Sequence, residues 1–285
     1  MSSRDIHVIE AIGRARVVIR DGKVVSVGEP CIKECPLAKR FGKPVMEICP
    51  DAIRENMEFR IRSFGMCTPG RVIESREDYV GFGASELLSS ALLHGLLDCA
   101  VIVCDGAGTV ILRHPSLVQG IGGRMSGLIS TSPLPAVIKR IENHGGIVLD
   151  PREARIDQAG GVREAAGRGY SRIGVTVASP KDAAAIREEY PQALIIAVHT
   201  TGISGEQAAA LASTADIVTA CASRHVREQA GKRALLQAGT AIPVFAMTQA
   251  GKDLILAKVR HVPSPVVITA SVLPYSGGQG PYPLV

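Results

Sequence analysis

From about residue 98 onward, short β-branched runs alternate with windows of helical pattern, and this alternation limits the fold more than any other feature of the chain. The runs are "AVIVC", "GIVLD", "RIGVTVA", "LIIAVHT", "DIVTACA", "IPVFAMT" and "PVVITAS". Apolar strands separated by helices of 10–15 residues mark a sheet buried on both faces. The expectation is therefore an α/β fold: a mostly parallel sheet covered by helices on both faces. Helix starts are marked by Ser132-Pro133 and Ser179-Pro180, a cap residue followed by proline, and by Ser204 with Gln207 in a capping box. The first part of the chain differs. Residues 6–27 read as a β-hairpin, "ARVVIR" and "KVVSVG" joined by Asp21-Gly22. A cysteine-containing loop follows, then a helix from Asp51, a break at "MCTPG", and a helix in "GASELLSSALLHGLL". The expected organisation is residues 1–97 as hairpin, cysteine loop and helices packing on an α/β domain of residues 98–285, which is open to division into lobes at 98–170 and 171–285.

Composition narrows the function classes. The formal charge of +5 is spread along the chain, and five Phe and five Tyr are too few for a stacking surface, so no nucleic-acid partner is expected. A small anionic ligand fits a mildly basic chain better. The N-terminus lacks an apolar leader, and His94 and Asp98 interrupt the oily run from Leu87 to Cys104, so a cytoplasmic protein without membrane contact is expected. Seven cysteines, an odd number, do not suggest a disulfide framework in that setting.

Ligands of α/β sheets sit at the carboxyl ends of strands. Those ends carry Cys104-Asp105-Gly106, Ser179, His199-Thr200-Thr201-Gly202 and Cys221-Ala222-Ser223. Cys221 precedes a helical window, a position that favours the thiolate; the plainer reading makes Cys104 and Cys221 small buried hydrophobes. Two glycine-rich turns are candidate anion sites: "CDGAGTV", with Asp105, Gly106 and Gly108, and "GIGGRMSG", with Gly122, Gly123 and Arg124. His199, beside Thr200 and Thr201, is the one histidine with the setting of a site residue. In the loop from Gly28 to Ile53, the spacing of Cys31, Cys35 and Cys49 matches neither a zinc ribbon nor a ferredoxin run. A centre held by cysteines from distant segments fits better, with iron–sulfur and zinc both open.

The blocks "DIHVIEAIGRARVVIRDGKVVSVGEP", "FRIRSFGMCTP", "AVIVCDGAGTVI", "LVQGIGGRMSGLISTSPLPAVI", "ARIDQAGGVREA", "VHTTGISGEQA" and "ADIVTACASRHVRE", with the ending "PYPLV", resemble the methanogenesis marker protein 8 family over nearly the whole chain. The resemblance implies an anaerobic archaeal cytoplasm and methane metabolism. Its cysteine-bearing blocks correspond to Cys35, Cys67, Cys104 and Cys221, enough to ligate a [4Fe–4S] cluster. Cys31, Cys49 and Cys99 fall outside those blocks. The resemblance further implies an accessory role in the assembly or reductive activation of methyl-coenzyme M reductase.

Three functional expectations follow. The first is an iron–sulfur or metal-binding accessory protein of methanogenesis with those four ligands. The second is a cofactor-independent, racemase-like enzyme using Cys104 and Cys221 as an acid/base pair. The third is a non-catalytic subunit that binds a nucleotide or a protein partner. Whether the chain is an enzyme stays open at this level.

Overall fold

The structure is a computed structural model and describes residues 5–125, 127–274 and 280–285. In chain order the first half contains β1 (Ile6–Glu10), β2 (Arg16–Arg20), β3 (Lys23–Val27), α1 (Pro50–Phe64), α2 (Ala84–Leu93), β4 (Cys99–Cys104), β5 (Gly108–Leu112), α3 (Pro115–Gly122), β6 (Gly127–Thr131), α4 (Pro135–Asn143) and β7 (Ile147–Val148). The second half contains α5 (Gln158–Gly167), β8 (Ile173–Val177), α6 (Pro180–Glu189), β9 (Leu194–Ala197), α7 (Gly205–Thr214), β10 (Ile217–Thr219), α8 (Arg224–Gly231), β11 (Leu236–Ala238), β12 (Val244–Ala246) and α9 (Gln249–Val259).

These strands form two sheets, one ordered β3-β2-β1-β6 and the other β11-β12-β10-β9-β8-β4-β5-β7. The fold is α/β, but the large sheet is mixed. Its centre, β4-β8-β9-β10, is parallel; on one side β5 pairs antiparallel with β4 and β7 with β5, and on the other β12 pairs antiparallel with β10 and β11 with β12. The departure from a mostly parallel sheet starts at Cys104↔Gly108. Only Asp105–Ala107 separate β4 from β5, enough for a hairpin and far too few for a crossover. Along β4, side chains alternate between the two faces. Ala100 and Ile102 join Leu87, Leu117 and Ile255 beneath α2, α3 and α9, while Cys99 and Val101 join Val162, Ile186 and Leu211 beneath α5, α6 and α7. Helices thus cover both faces.

The expected hairpin forms, with Asp21 and Gly22 both at positive φ between Arg20 and Lys23, as a primed turn requires. It belongs to a wider antiparallel sheet, because β1 precedes it and β6 returns from residue 127 to pair with β1. Ser179 and Ser204 cap α6 and α7 as expected, the latter with its capping box. Ser132 does not cap a helix: α4 starts at Pro135, and the Ser132 hydroxyl instead bonds both backbone groups of Ile6. The run "PVVITAS" is not a strand either; Val267 is 88% and Ile268 69% exposed. Pro263 and Pro265, which offer no backbone donor, remove the first pairing positions.

Candidate functional site at the junction of the two sheets

The carboxyl ends of β4, β9 and β10 face the small sheet, and almost every residue singled out above lies along this seam. It has a sealed part and an open part.

The sealed part is built on Asp105, in the β4–β5 turn. Asp105 and Arg71 have no exposed side-chain surface and pair at 2.9 Å through Arg71 Nε and Asp105 Oδ1. The Cys67 backbone N–H donates to Asp105 Oδ2 at 2.6 Å. Burial pushes the Asp105 carboxyl up, but Arg71 and the Cys67 N–H outweigh it, so the group is held below the usual carboxylate range. The other guanidinium nitrogens of Arg71 donate to the carbonyls of Val72, Gly120 and Ile121. The last two belong to the final turn of α3, where a cation also complements the helix dipole. Beside this pair His7, fully buried, contacts Thr131 Oγ1 through Nδ1 at 2.5 Å and lies 2.5 Å from Asp5 through Nε2. Thr131 Oγ1 in turn accepts from Gly106 N. The bonds to Asp105 join the turn after α1, and the Gly106–Thr131 bond joins the small sheet, to the β4 end of the large sheet.

Cys67 and Cys104 lie in this sealed zone with no exposure. Burial, followed by the Asp105 charge, raises both thiols above their ordinary value. Both are therefore neutral thiols, and Cys104 Sγ is 3.3 Å from the Asp105 carbonyl. Cys99 is likewise buried, its thiol pushed up to about 12 by burial.

The open part lies after β9 and β10. Thr200 Oγ1 donates to Thr219 O at 2.6 Å, Thr219 Oγ1 to Ala197 O at 2.9 Å, and Ala222 N to Thr201 Oγ1 at 3.3 Å. These bonds lock the two loops side by side. Each loop holds one residue in the left-handed region, His199 at φ 57 and Cys221 at φ 44, conformations uncommon for residues other than Gly, Asn and Asp. Such an outlier persists only where the surroundings enforce it. Burial lowers His199 to about 4, so its imidazole is neutral at physiological pH and available as a ligand or acceptor. Opposite stands the loop after β1: Arg14, at φ 62, donates to Gly202 O at 2.5 Å, and a Cβ on Gly127 would meet both Glu10 and His199. Glu10 is raised by burial, with Arg14 opposing.

Cys35 reaches this open part from the cysteine loop. Its half-buried thiol is raised first by burial, and its side chain packs against the apolar cluster that includes Ala222, the neighbour of Cys221. The loop is held by the Glu34–Tyr282 bridge and by Cys31 N donating to Gly13 O, while Cys31 and Cys49 are exposed. The four cysteines that the family resemblance implies thus divide into an open pair, Cys35 and Cys221, and a sealed pair, Cys67 and Cys104, flanking Asp105. Among the described residues, no three His, Cys, Asp or Glu side chains stand together as metal ligands would.

The glycine turns serve packing. Gly122 ends α3 and Gly123 is αR; the Gly123 and Met125 N–H groups are already bonded to Gln119 and Gly122 carbonyls, which leaves them unable to cradle an anion. A Cβ on Gly123 would lie 2.7 Å from the Tyr79 ring, and one on Gly108 2.2 Å from the Ala154 carbonyl. Gly106, at φ 83, presses against Leu134.

The last feature of the seam was signalled in the sequence through Arg124 alone. Arg60, Arg71 and Arg124 all lie over one ring, Phe64, at 5.7, 5.1 and 5.4 Å from its centroid. No two of these guanidiniums can be more than about 11 Å apart, where like charges still repel by about 1.5 kcal/mol at an effective dielectric near 20. A cation–π contact contributes only about 0.5–1 kcal/mol at a partly exposed site. Burial, then the neighbouring Arg71, lowers Arg60 to about 10.

The fold and seam define a class: a two-sheet α/β protein with a sealed ion pair and an open thiol-bearing edge at the carboxyl ends of its parallel strands. The chain belongs to the family described as "Uncharacterized protein conserved in archaea (DUF2099)", whose model matches residues 7–260. It is 44% identical over 285 residues, 99% of this chain and all of the relative, to "Uncharacterized protein MJ0054" of Methanocaldococcus jannaschii. No solved structure matches it. Among the described residues, no helix is long and apolar enough to cross a membrane.

Proposed function

We propose that this chain is an accessory protein of archaeal methane metabolism that takes up a soft metal or iron–sulfur centre at its open edge and passes it on. Cys35 and Cys221 are the ligands, and methyl-coenzyme M reductase or its activation machinery is the destination. The observation that carries this reading is that two half-buried thiols from remote segments meet one apolar cluster: Cys35 of the cysteine loop packs against the cluster that includes Ala222, the neighbour of Cys221 at the tip of β10. A closed set of four thiolates retains its metal, whereas two protein ligands leave positions open for exchange. The neutral His199 imidazole on the adjoining loop suits the same task. The archaeal family and the relative from a methanogen are consistent with the setting. Anaerobic reconstitution with ferrous iron and sulfide tests it. Wild-type protein is expected to retain iron through desalting, and Cys35→Ser and Cys221→Ser to lose most of it. Cys99→Ser, buried at the start of β4 under the helices of the large sheet, should behave as wild type. Iron-free wild type, or undiminished iron in the Cys35→Ser/Cys221→Ser double variant, would rule the reading out.

A further inference from the structure

We propose a second site, independent of the thiol edge: the partly buried Arg124, beside Arg60 and Phe64, binds the oxyanion group of a small molecule, a phosphate or a carboxylate. The chain concentrates three guanidiniums over one aromatic ring there. The buried carboxylate that faces them, Asp105, is already taken by Arg71 and the Cys67 N–H. Arg124 is held in place rather than free to swing. Its Nε donates to Tyr79 Oη at 2.7 Å, Tyr79 Oη donates to Ser75 at 3.0 Å, and the Arg124 carbonyl accepts from Arg60. With the head group fixed this way, Arg124 Nη1 is buried and lacks an acceptor among the described residues. A buried guanidinium N–H without an acceptor calls for an explanation, and a bound oxyanion supplies one. A planar guanidinium recognises a group with two or more oxygens better than a single-atom anion does, so phosphate and carboxylate are favoured over chloride. The site differs from the glycine nest expected at Gly122 and Gly123, because side chains and not backbone N–H groups would do the binding.

The test uses the full chain with inorganic phosphate and malonate as separate probes, each matched in ionic strength by sodium chloride. At least one probe should raise the melting temperature saturably, and sodium chloride should not. Arg124→Gln should weaken that binding tenfold or more, while Arg163→Gln, which breaks only a surface ion pair with Glu189, should leave it unchanged. Arginine-selective labelling of the wild type, read by mass spectrometry, answers the question even if Arg124→Gln folds poorly: Arg124 should be protected by the binding probe. A phosphate response alone assigns a phosphorylated ligand, and a malonate response alone a carboxylate. No response to either, or equal labelling of Arg124 with and without both, overturns the proposal.

Discussion

Asp105 and Arg71 meet where neither reaches solvent, so each is tolerable only because the other is present. Removing one partner of a buried pair leaves an uncompensated charge and costs about 3–5 kcal/mol. Asp105→Ala is therefore expected to lower unfolding stability by that amount in urea titrations. Arg163→Ala, which breaks the exposed pair with Glu189, should stay within about 1 kcal/mol. His199 makes a different expectation. Its folded value is about 4 against an ordinary 6.5, so between those values the unfolded chain takes up a proton that the folded chain refuses. Its contribution is whole above about pH 6.5 and is lost as pH falls toward 4. Because the residue as a whole is only half-buried, the loss is on the order of 1–2 kcal/mol. His199→Asn keeps a residue that tolerates positive φ and should flatten the difference between urea midpoints measured at pH 7 and pH 5; an unchanged slope would assign the pH dependence elsewhere. At this scale the sequence pointed to His199 and Cys221 through their places at strand ends. It did not reveal Arg71, because nothing local distinguishes an arginine destined for a buried carboxylate 34 residues away from one destined for solvent.

At the scale of elements, α1 and the turn after it set the seam. Gly65 closes α1 at φ 71, and a Cβ there would lie 2.5 Å from the Gly70 carbonyl. That closure starts the turn holding Cys67 and Arg71. Gly65→Ala should cost at least about 2 kcal/mol and expose Cys67 to thiol reagents. Gly167→Ala has the opposite sign: Gly167 lies in α5 with open space where its Cβ would point, so the change should add about 0.5 kcal/mol. Both are checked by the same denaturation series. The elements legible in the sequence were those with their own local chemistry, such as the Asp21-Gly22 hairpin, the helix near Asp51 and the caps at Ser179 and Ser204. β5 and β6 were hidden. "GTVIL" reads as the tail of a glycine turn, and "GLIST" becomes a strand only because β1 is there to pair with it. "PVVITAS" shows the converse, with strand composition and no partner.

For the whole molecule, the alternating pattern foretold a sheet covered on both faces but not the antiparallel flanks, one of which depends on a three-residue turn after β4. The division of the cysteines was equally out of reach, since it depends on how the small sheet docks on the large one. That docking leaves Cys35 and Cys221 half-buried at the open edge and seals Cys67 and Cys104 inside, while Cys99 is buried under the helices of the large sheet. The claim that the open pair takes up a centre is tested most directly by thiol alkylation of the native chain, before and after anaerobic loading with iron and sulfide, mapped by mass spectrometry. Before loading, Cys31, Cys35, Cys49 and Cys221 should react while Cys67, Cys99 and Cys104 do not. After loading, Cys35 and Cys221 should be protected together while Cys31 and Cys49 remain reactive. Equal labelling of Cys35 and Cys221 in the loaded and unloaded protein would contradict the account.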